Sequence, residues 1–280
     1  MTYSYARYLR AKRTVDDRAL NRGVMDAALQ RLPQDRPVRI AELGGGVGTM
    51  VDRLVECSRI TQAQYVLVDV EAPFLDEAKT RVDGWARGET RHGAREGVSF
   101  DVRTRHARIE DWVDDPGGTY DLIIAHAVLD LVDVPTVLPR LLATLTDGGT
   151  FWTTINFDGN TIFMPRDPRD VPIIDAYHQS MDDRDGSSTA GRELFGHIHA
   201  AGGTVVRSGS SSWVVHPGGA GYEGDEAYFV HHIVHTVEQE LGEHPQLGPD
   251  VQAWGTKRHA QIDANELVYI AHQLDFAVGR

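Results

Sequence analysis

The stretch VRIAELGGGVGTMVDRL, residues 38–54, decides the fold of this chain. Its residues 39–43 predict a short buried strand, and residues 49–56 have the apolar period of a helix. Between them, the glycines at 44, 45, 46 and 48 predict a tight turn. A strand that enters a helix through glycines gathers backbone N–H groups and the positive end of the helix dipole at one point. The stretch therefore predicts an α/β domain with a ligand bound at this turn.

The spacing of the glycines separates two kinds of ligand. A dinucleotide-binding turn follows the pattern G-x-G-x-x-G, but Thr49 stands where its third glycine would be. The pattern present is E-x-G-x-G-x-G, formed by Glu42, Gly44, Gly46 and Gly48. It resembles the first motif of the class I S-adenosylmethionine-dependent methyltransferases. For the loop taken alone, a tight turn without a ligand is the alternative.

The resemblance covers residues 36–157 and implies a fold and a cofactor. The fold is a Rossmann-like, doubly wound sheet of seven strands in the order 3-2-1-4-5-7-6, parallel except for one antiparallel strand. The cofactor is S-adenosyl-L-methionine, with S-adenosyl-L-homocysteine as its product; Glu42 would face the methionine portion and the glycines would make room for it. We expect an N-terminal helical cap over 1–35 and a methyltransferase domain over 36–280.

A second buried strand is predicted over residues 64–70, QYVLVDV. A carboxylate at the end of this strand can accept both hydroxyls of a ribose. The resemblance places Asp69 at that position with Val70 beside it, and Glu71 is the alternative if the register slips. An Asp69 that only caps the following helix, 72–82, is the structural alternative.

After the third predicted strand, 98–107, relatives carry an acid that binds the adenine amino group. Here Arg108 occupies that place, followed by Ile109 and Glu110, so the acid comes late. We therefore take Arg108, Ile109 and Glu110 as the adenine-contacting candidates, without assigning the contact to one of them. The expected loop over residues 83–96 precedes this strand.

His126 lies at the end of the fourth predicted strand, which begins at Tyr120, close to where the sulfonium would sit. Three roles remain open for it. It could line the cofactor pocket, act as a general base or substrate positioner, or pack as a satisfied histidine. It is the catalytic candidate of the chain.

The substrate-binding candidates come from two regions outside the motif. Residues 1–13 are either a solvated basic segment or a lid that brings Tyr8 and Arg13 over the pocket. A helix is predicted behind it over 15–32. Residues 158–186 predict a long loop because they are rich in Asp, Pro and Arg. The candidates at and within this loop are Asn156, Phe157, Tyr177 and His178.

The last third of the chain departs from the family. A sixth strand is predicted over 204–215, and a helical insertion over 220–264, with helices at 225–241 and 249–264, precedes a seventh strand at 266–272. We expect the insertion to cover the substrate or to form a homodimer contact. Its HHIVH segment puts His231 and His235 four residues apart, but a third ligand is missing, so we expect no metal.

Composition limits the partners. The formal net charge is −13, with 41 acidic and 28 basic residues, which counts against a nucleic acid. No apolar run approaches a membrane span, no secretion signal is visible, and Cys57 is the single cysteine, so we expect a cytoplasmic protein. Our leading hypothesis is methyl transfer to O, N or C of a small molecule by in-line displacement. The alternatives are a tRNA-modifying methyltransferase and a non-catalytic S-adenosylmethionine-binding regulatory module.

Overall fold

The computed structural model describes residues 2–57, 59–86, 97–184 and 186–280, without the side chains of residues 85 and 86. The strands in this part of the chain are β1 (Val38–Leu43), β2 (Gln62–Asp69), β3 (Ser99–His106), β4 (Tyr120–His126), β5 (Leu145–Met164), β6 (Thr204–Ser210), β7 (Trp213–Val215) and β8 (Val268–Gly279).

The helices of the described residues lie before, between and after these strands. They are α1 (Tyr5–Ala11), α2 (Arg13–Ala19), α3 (Arg22–Leu29), α4 (Thr49–Cys57), α5 (Ala72–Ala86), α6 (Ile109–Trp112), α7 (Val134–Ala143), α8 (Asp170–Asp182), α9 (Ala190–Ala200), α10 (Glu226–Leu241) and α11 (Gly248–Asp263), with a 3₁₀ turn at Leu129–Leu131.

All of these strands join one sheet in the order β3-β2-β1-β4-β5-β8-β6, and β7 also pairs with β8. Neighbours from β3 to β5 run parallel, whereas β8 is antiparallel to β5, β6 and β7. The predicted strand order and the single antiparallel strand are confirmed. The predicted count of seven differs by one, because the expected sixth strand is interrupted at Ser211 and Ser212 and forms β6 and β7.

Helices cover both faces of the sheet, as the near-continuous apolar strands β1 and β4 require. One core lies between the sheet and α6, α7 and α9, and a second lies between the sheet and α3, α4 and α5. A third apolar cluster joins the cap to the insertion; its largest members are Phe163, Trp213, Tyr228, Phe229, Trp254 and Tyr269. No helix of the described residues has the length and apolar character that crossing a bilayer requires.

The helix predicted over 15–32 is divided into α2 and α3 at Asn21. The side chain of Asn21 caps α3 by accepting a hydrogen bond from Val24 N at 3.1 Å. The backbone N–H of Asn21 donates to the buried carboxylate of Asp275 at 2.8 Å. Because both groups have these partners, the chain turns at Asn21 instead of continuing one helix. Apolar periodicity alone does not show this break.

The prediction of a long loop over 158–186 was wrong. Strand β5 continues to Met164, since residues 161–164 pair with residues 268–271 of β8. Helix α8 follows and buries Ile173 and Ile174 in the third cluster. The Asp-, Pro- and Arg-rich composition did not indicate a strand here. The backbone hydrogen bonds of this strand are made with β8, more than a hundred residues later in the sequence. The other loop was predicted over 83–96. Its first residues belong to helix α5, which extends to Ala86, and residues 87–96 lie outside the described part of the chain.

Candidate functional site

The glycine turn between β1 and α4 has the backbone conformation that its sequence predicts. Gly44, Gly46 and Gly48 have φ values of +64°, +51° and +78°, in the left-handed region where a side chain is strained. The N–H of Gly46 donates to Asp69 Oδ2 at 2.7 Å, and the N–H of Gly45 donates to Val68 O at 3.1 Å. The turn is thereby fixed against the end of β2.

Asp69 accepts hydrogen bonds from the main chain on both oxygens. Its Oδ2 bonds Gly46 N, and its Oδ1 accepts from Glu71 N at 2.9 Å, so it also supports the start of α5. A carboxylate offers about four lone-pair positions, so acceptor capacity remains for two ribose hydroxyls. Beside it, the side chain of Val70 is half exposed at the strand end, an apolar surface of the kind that a purine ring covers. The group of residues fits an adenosyl ligand.

Glu42 lies beneath the glycine turn and contacts Tyr65. The Tyr65 hydroxyl donates to Glu42 Oε2 at 2.6 Å, and a Cβ on Gly45 would stand 3.0 Å from Glu42 Cδ. Burial raises the pKa of Glu42 to about 8, because the charged form loses its hydration. The carboxyl group is therefore positioned below the turn with its proton largely retained near neutrality.

The three adenine candidates begin the short helix α6. Arg108 precedes it and its exposed guanidinium lies 3.4 Å from Glu110 Oε2. The side chain of Ile109 is buried in the core, so its contribution to a ligand would come from the backbone at the helix start. These three residues follow the C-terminal end of β3, next to Val70, which is where the strand order predicts them.

His126 is buried, and both of its ring nitrogens have partners. Its Nδ1 lies 2.6 Å from Thr154 Oγ1, and its Nε2 lies 3.0 Å from Asp16 Oδ2. Burial lowers the pKa of His126 to about 4, although Asp16 acts in the opposite direction. The partners suit a neutral ring in which Nε2–H donates to Asp16 and Nδ1 accepts from the Thr154 hydroxyl. A proton transfer by His126 would first have to break one of these bonds.

Asp16, on α2 of the cap, is the buried charge that sequence reasoning missed. Besides His126, it accepts a hydrogen bond from Trp213 Nε1 at 2.9 Å and lies 3.5 Å from both Lys12 Nζ and Arg53 Nη2. Burial alone would raise the pKa of Asp16, but Lys12, His126 and Arg53 together hold it well below its ordinary value. The signal available in the sequence was the spacing of Lys12 and Asp16, which places both on one helix face.

The cap lies over the glycine turn. The side chain of Leu9 stands 3.2 Å from the position of a Cβ on Gly46, and the ring of Tyr5 stacks on Phe74 of α5 at 5.8 Å. Arg13, a predicted substrate residue, instead anchors the cap to α4 through Asp52 at 2.9 Å. The cap is thus an integral wall of the site in this conformation.

The other substrate candidates fall into two groups. Tyr8 stacks on His232 of α10 at 4.5 Å, and Tyr177 and His178 lie on α8, where His178 contacts the edge of Phe157 at 5.2 Å. Asn156 is different, since it is fully buried. It donates to Leu274 O at 2.8 Å and accepts from the Thr153 hydroxyl at 2.7 Å, so its side chain stabilises β5 against β8.

The histidines of the HHIVH segment do not converge on one point. His231 Nδ1 lies 2.7 Å from His259 Nδ1, whereas His235 stacks on Tyr3 at 3.8 Å. In the described residues, no group of three or more His, Cys, Asp or Glu side chains is arranged to hold a metal ion.

The comparisons with known proteins agree with this geometry. Residues 41–151 match the profile of a family described as "Methyltransferase domain". A comparison with curated protein sequences finds no match. Among solved structures, a SAM-dependent methyltransferase from Geobacter sulfurreducens in complex with S-adenosyl-L-homocysteine is 16% identical, with 97% of each chain covered and a TM-score of 0.52.

Two further structures share the fold. A SAM-dependent methyltransferase from Thiobacillus denitrificans, also in complex with S-adenosyl-L-homocysteine, is 17% identical over 100% of both chains, with a TM-score of 0.51. The cyclopropane synthase MmaA2 from Mycobacterium tuberculosis is 12% identical, with 91% of this chain and 82% of that chain covered and a TM-score of 0.51. At these identities the likeness concerns the fold.

Proposed function

We propose that this chain is a class I S-adenosylmethionine-dependent methyltransferase that methylates an oxygen, nitrogen or carbon atom of a small-molecule acceptor. The match of residues 41–151 to a methyltransferase-domain family supports this proposal. The observation that carries the proposal is the bond between Gly46 N and Asp69 Oδ2, 2.7 Å, which joins the glycine turn to the ribose-binding acid. It holds the glycine turn against the end of β2 at the C-terminal edge of the sheet, where ligands of doubly wound folds bind.

We propose a definite set of donor-binding groups. The main chain of the glycine turn holds the methionine portion above Glu42, Asp69 accepts the ribose hydroxyls, and Val70 and the backbone of Ile109 contact the adenine. When bound, S-adenosylmethionine supplies an electrophilic methyl group on a positively charged sulfur.

The acceptor side is formed by the cap over 1–35 together with α8 and the insertion. Leu9 lies against the turn, Tyr5 stacks on Phe74 of α5, and Tyr8 and Tyr177 pack against the third apolar cluster. These elements exclude water and orient the acceptor, which is the main requirement of an in-line transfer. Because both ring nitrogens of His126 are bonded, we assign it to the pocket wall and to positioning. The net charge of −13 favours a small molecule over tRNA.

Calorimetric titration of the full chain with S-adenosyl-L-homocysteine tests the donor site. Asp69→Ala removes the acceptor of two charged hydrogen bonds, so we expect at least about 100-fold weaker binding. Asp147→Ala is the control, because Asp147 is exposed in the turn at the N-terminal end of β5, on the opposite edge of the sheet. Unchanged binding by Asp69→Ala would contradict the proposed site.

The reaction is tested by transfer of a radiolabelled methyl group to a panel of small amines, alcohols and carbon nucleophiles, with bulk tRNA in parallel. Label in a small molecule supports the proposal. Label in tRNA alone would replace it with the tRNA-modifying alternative, and donor binding without any transfer would favour the regulatory module.

A further inference from the structure

Asp275 on β8 is a fully buried residue whose carboxylate binds two main-chain segments that are far apart in the sequence. Its Oδ1 accepts a hydrogen bond from the N–H of Ile155 at 2.7 Å, and its Oδ2 accepts one from the N–H of Asn21 at 2.8 Å. Burial raises the pKa of Asp275 to about 6, so the group is largely ionised above neutrality. Hydrogen bonds to an ionised acceptor are the strong kind. One side chain thus joins β5 to the turn between α2 and α3.

The bond to Ile155 holds an irregular part of β5. Here Thr154 and Ile155 stand opposite the single residue Asp275 of β8, which makes a β-bulge. Ile155 has a φ of +58°, a conformation that a β-branched residue rarely adopts. A strained backbone of this kind persists only where its surroundings hold it in place. The carboxylate opposite the bulge does so by accepting the Ile155 N–H.

Thr154, the other residue of the bulge, fixes the end of β4. Its Oγ1 lies 2.6 Å from His126 Nδ1, and its carbonyl oxygen accepts from the N–H of Ala127 at 2.9 Å. Ala127 also has a positive φ, of +53°. The contact between Thr154 and His126 is therefore flanked on both strands by a residue in a strained conformation, and such residues cluster at functional sites.

The bond to Asn21 holds the second partner of His126. Helix α2, directly before Asn21, carries Asp16, whose Oδ2 lies 3.0 Å from His126 Nε2. Arg53 Nη1 lies 3.5 Å from the same ring nitrogen, and it donates to Thr49 Oγ1 at 3.3 Å, where the glycine turn enters α4. The His126 ring is thus linked to the donor end of the site.

We propose that Asp275 is a positioning residue of the cofactor pocket, because its two oxygens fix the two segments that supply both partners of the His126 ring. Since Asp275 is fully buried, it acts through Thr154 and Asp16 and not by contact with a ligand. The role needs a carboxylate, which accepts on both oxygens, whereas an amide would turn its NH₂ group towards one of the two N–H donors. The inference rests on the proposed function, because it names a residue that orients the wall of the same site.

Heteronuclear NMR of the histidine ring nitrogens in the full chain tests this inference, with the His126 signals identified by their loss in His126→Gln. In the unmodified protein near neutrality, we expect a neutral ring that is protonated at Nε2. In Asp275→Asn, we expect the minor Nδ1–H tautomer to become about tenfold more populated, the equivalent of one lost hydrogen bond, so that the two ring signals move towards each other.

Asp121→Asn is the matched control. Asp121 is also a buried carboxylate that accepts a main-chain N–H, from Arg39 at 2.9 Å, but it lies at the opposite end of β4 from His126. A loss of stability without a positioning effect would occur in this variant as well. We therefore expect the His126 signals to stay in place in Asp121→Asn. Equal movement in Asp121→Asn and Asp275→Asn would overturn the inference.

A pair of variants at Asn21 tests the carboxylate without altering it. Asn21→Pro removes the N–H that donates to Asp275, and the φ of −73° at this position suits a proline. Asn21→Ala keeps the N–H, and both variants lose the capping side chain. We expect the His126 signals to move in Asn21→Pro and to stay in place in Asn21→Ala. This pair decides if Asp275→Asn does not fold, and equal signals in its two members would then overturn the inference.

Calorimetric titration of the same samples with S-adenosyl-L-homocysteine separates the inference from the proposed function. We expect binding to be at least about threefold weaker in Asp275→Asn than in Asp121→Asn. Equal binding by these two variants would overturn the role of Asp275 in the pocket and leave the proposed function standing. If the cofactor product does not bind the unmodified protein, the proposed function itself fails, whatever the His126 signals show.

Discussion

Asp16 on α2 binds His126 at the end of β4, with Asp16 Oδ2 3.0 Å from His126 Nε2 across 110 residues of sequence. This contact makes the N-terminal cap part of the site, because the orientation of a ring on the central strand depends on a carboxylate from the cap. Lys12, Arg53 and Trp213 complete the surroundings of that carboxylate.

Removing the Asp16 carboxylate should be strongly destabilising. Asp16→Ala leaves the buried Lys12 and Arg53 without a shared counter-charge, and we expect a loss of about 3–5 kcal/mol in the free energy of unfolding measured with urea. Asp17→Ala is the matched control, since the neighbouring carboxylate is partly exposed and its ion pairs contribute at most about 1 kcal/mol. Equal losses in the two variants would contradict a special role for Asp16.

His126 should make stability depend on pH below neutrality. Its pKa is about 4 in the folded protein and about 6.5 when unfolded, so between these values the unfolded chain binds more protons. The stabilising effect of the neutral ring is therefore lost as the pH falls from about 6.5 to about 4, by at most about 3 kcal/mol. Unfolding curves of the wild type and His126→Gln across this range measure it. Parallel curves would count against the buried neutral ring.

Glu42 should have the opposite pH dependence. Its folded pKa of about 8 lies above the ordinary value of 4.5, so the folded protein keeps a proton that the unfolded chain releases. Its contribution is complete below about pH 4.5 and is lost as the pH rises towards 8. Glu42→Gln imitates the protonated form, so we expect this variant to gain stability relative to the wild type with rising pH, by at most about 5 kcal/mol. If the difference in unfolding free energy between Glu42→Gln and the wild type changed by only about 0.5 kcal/mol or less between pH 5 and 8, the prediction would be refuted.

Gly46→Ala tests the glycine turn. Its φ of +51° would cost an alanine about 1–2 kcal/mol, and the new methyl would stand 3.2 Å from Leu9 Cδ1. We expect lower stability to urea and weaker binding of S-adenosyl-L-homocysteine. The matched control is Gly196→Ala inside α9, where a Cβ meets nothing within 4 Å and should stabilise by about 0.5–1 kcal/mol. The prediction fails if Gly46→Ala binds as well as Gly196→Ala.

The parts of the fold that were predictable are those encoded by near neighbours in the sequence. The glycines at 44, 46 and 48 permit the positive φ of the tight turn, and the apolar runs of β1 and β4 require burial on both faces. The long β5 was underpredicted, because its second half is held by pairing with β8, and the break at Asn21 depends on Asp275.

The sequence by itself determined the glycine turn, the position of Asp69 at a strand end and the strand order that follows from the family resemblance. The first two depend on backbone conformation and on the apolar pattern of a short segment, whereas the strand order is what the family resemblance implies. Tertiary structure alone decided that Asp16 meets His126, that Arg13 ties the cap to α4, and that Asn156 ties β5 to β8. Burial and electrostatic partners set these roles, and residues far apart in the chain supply them.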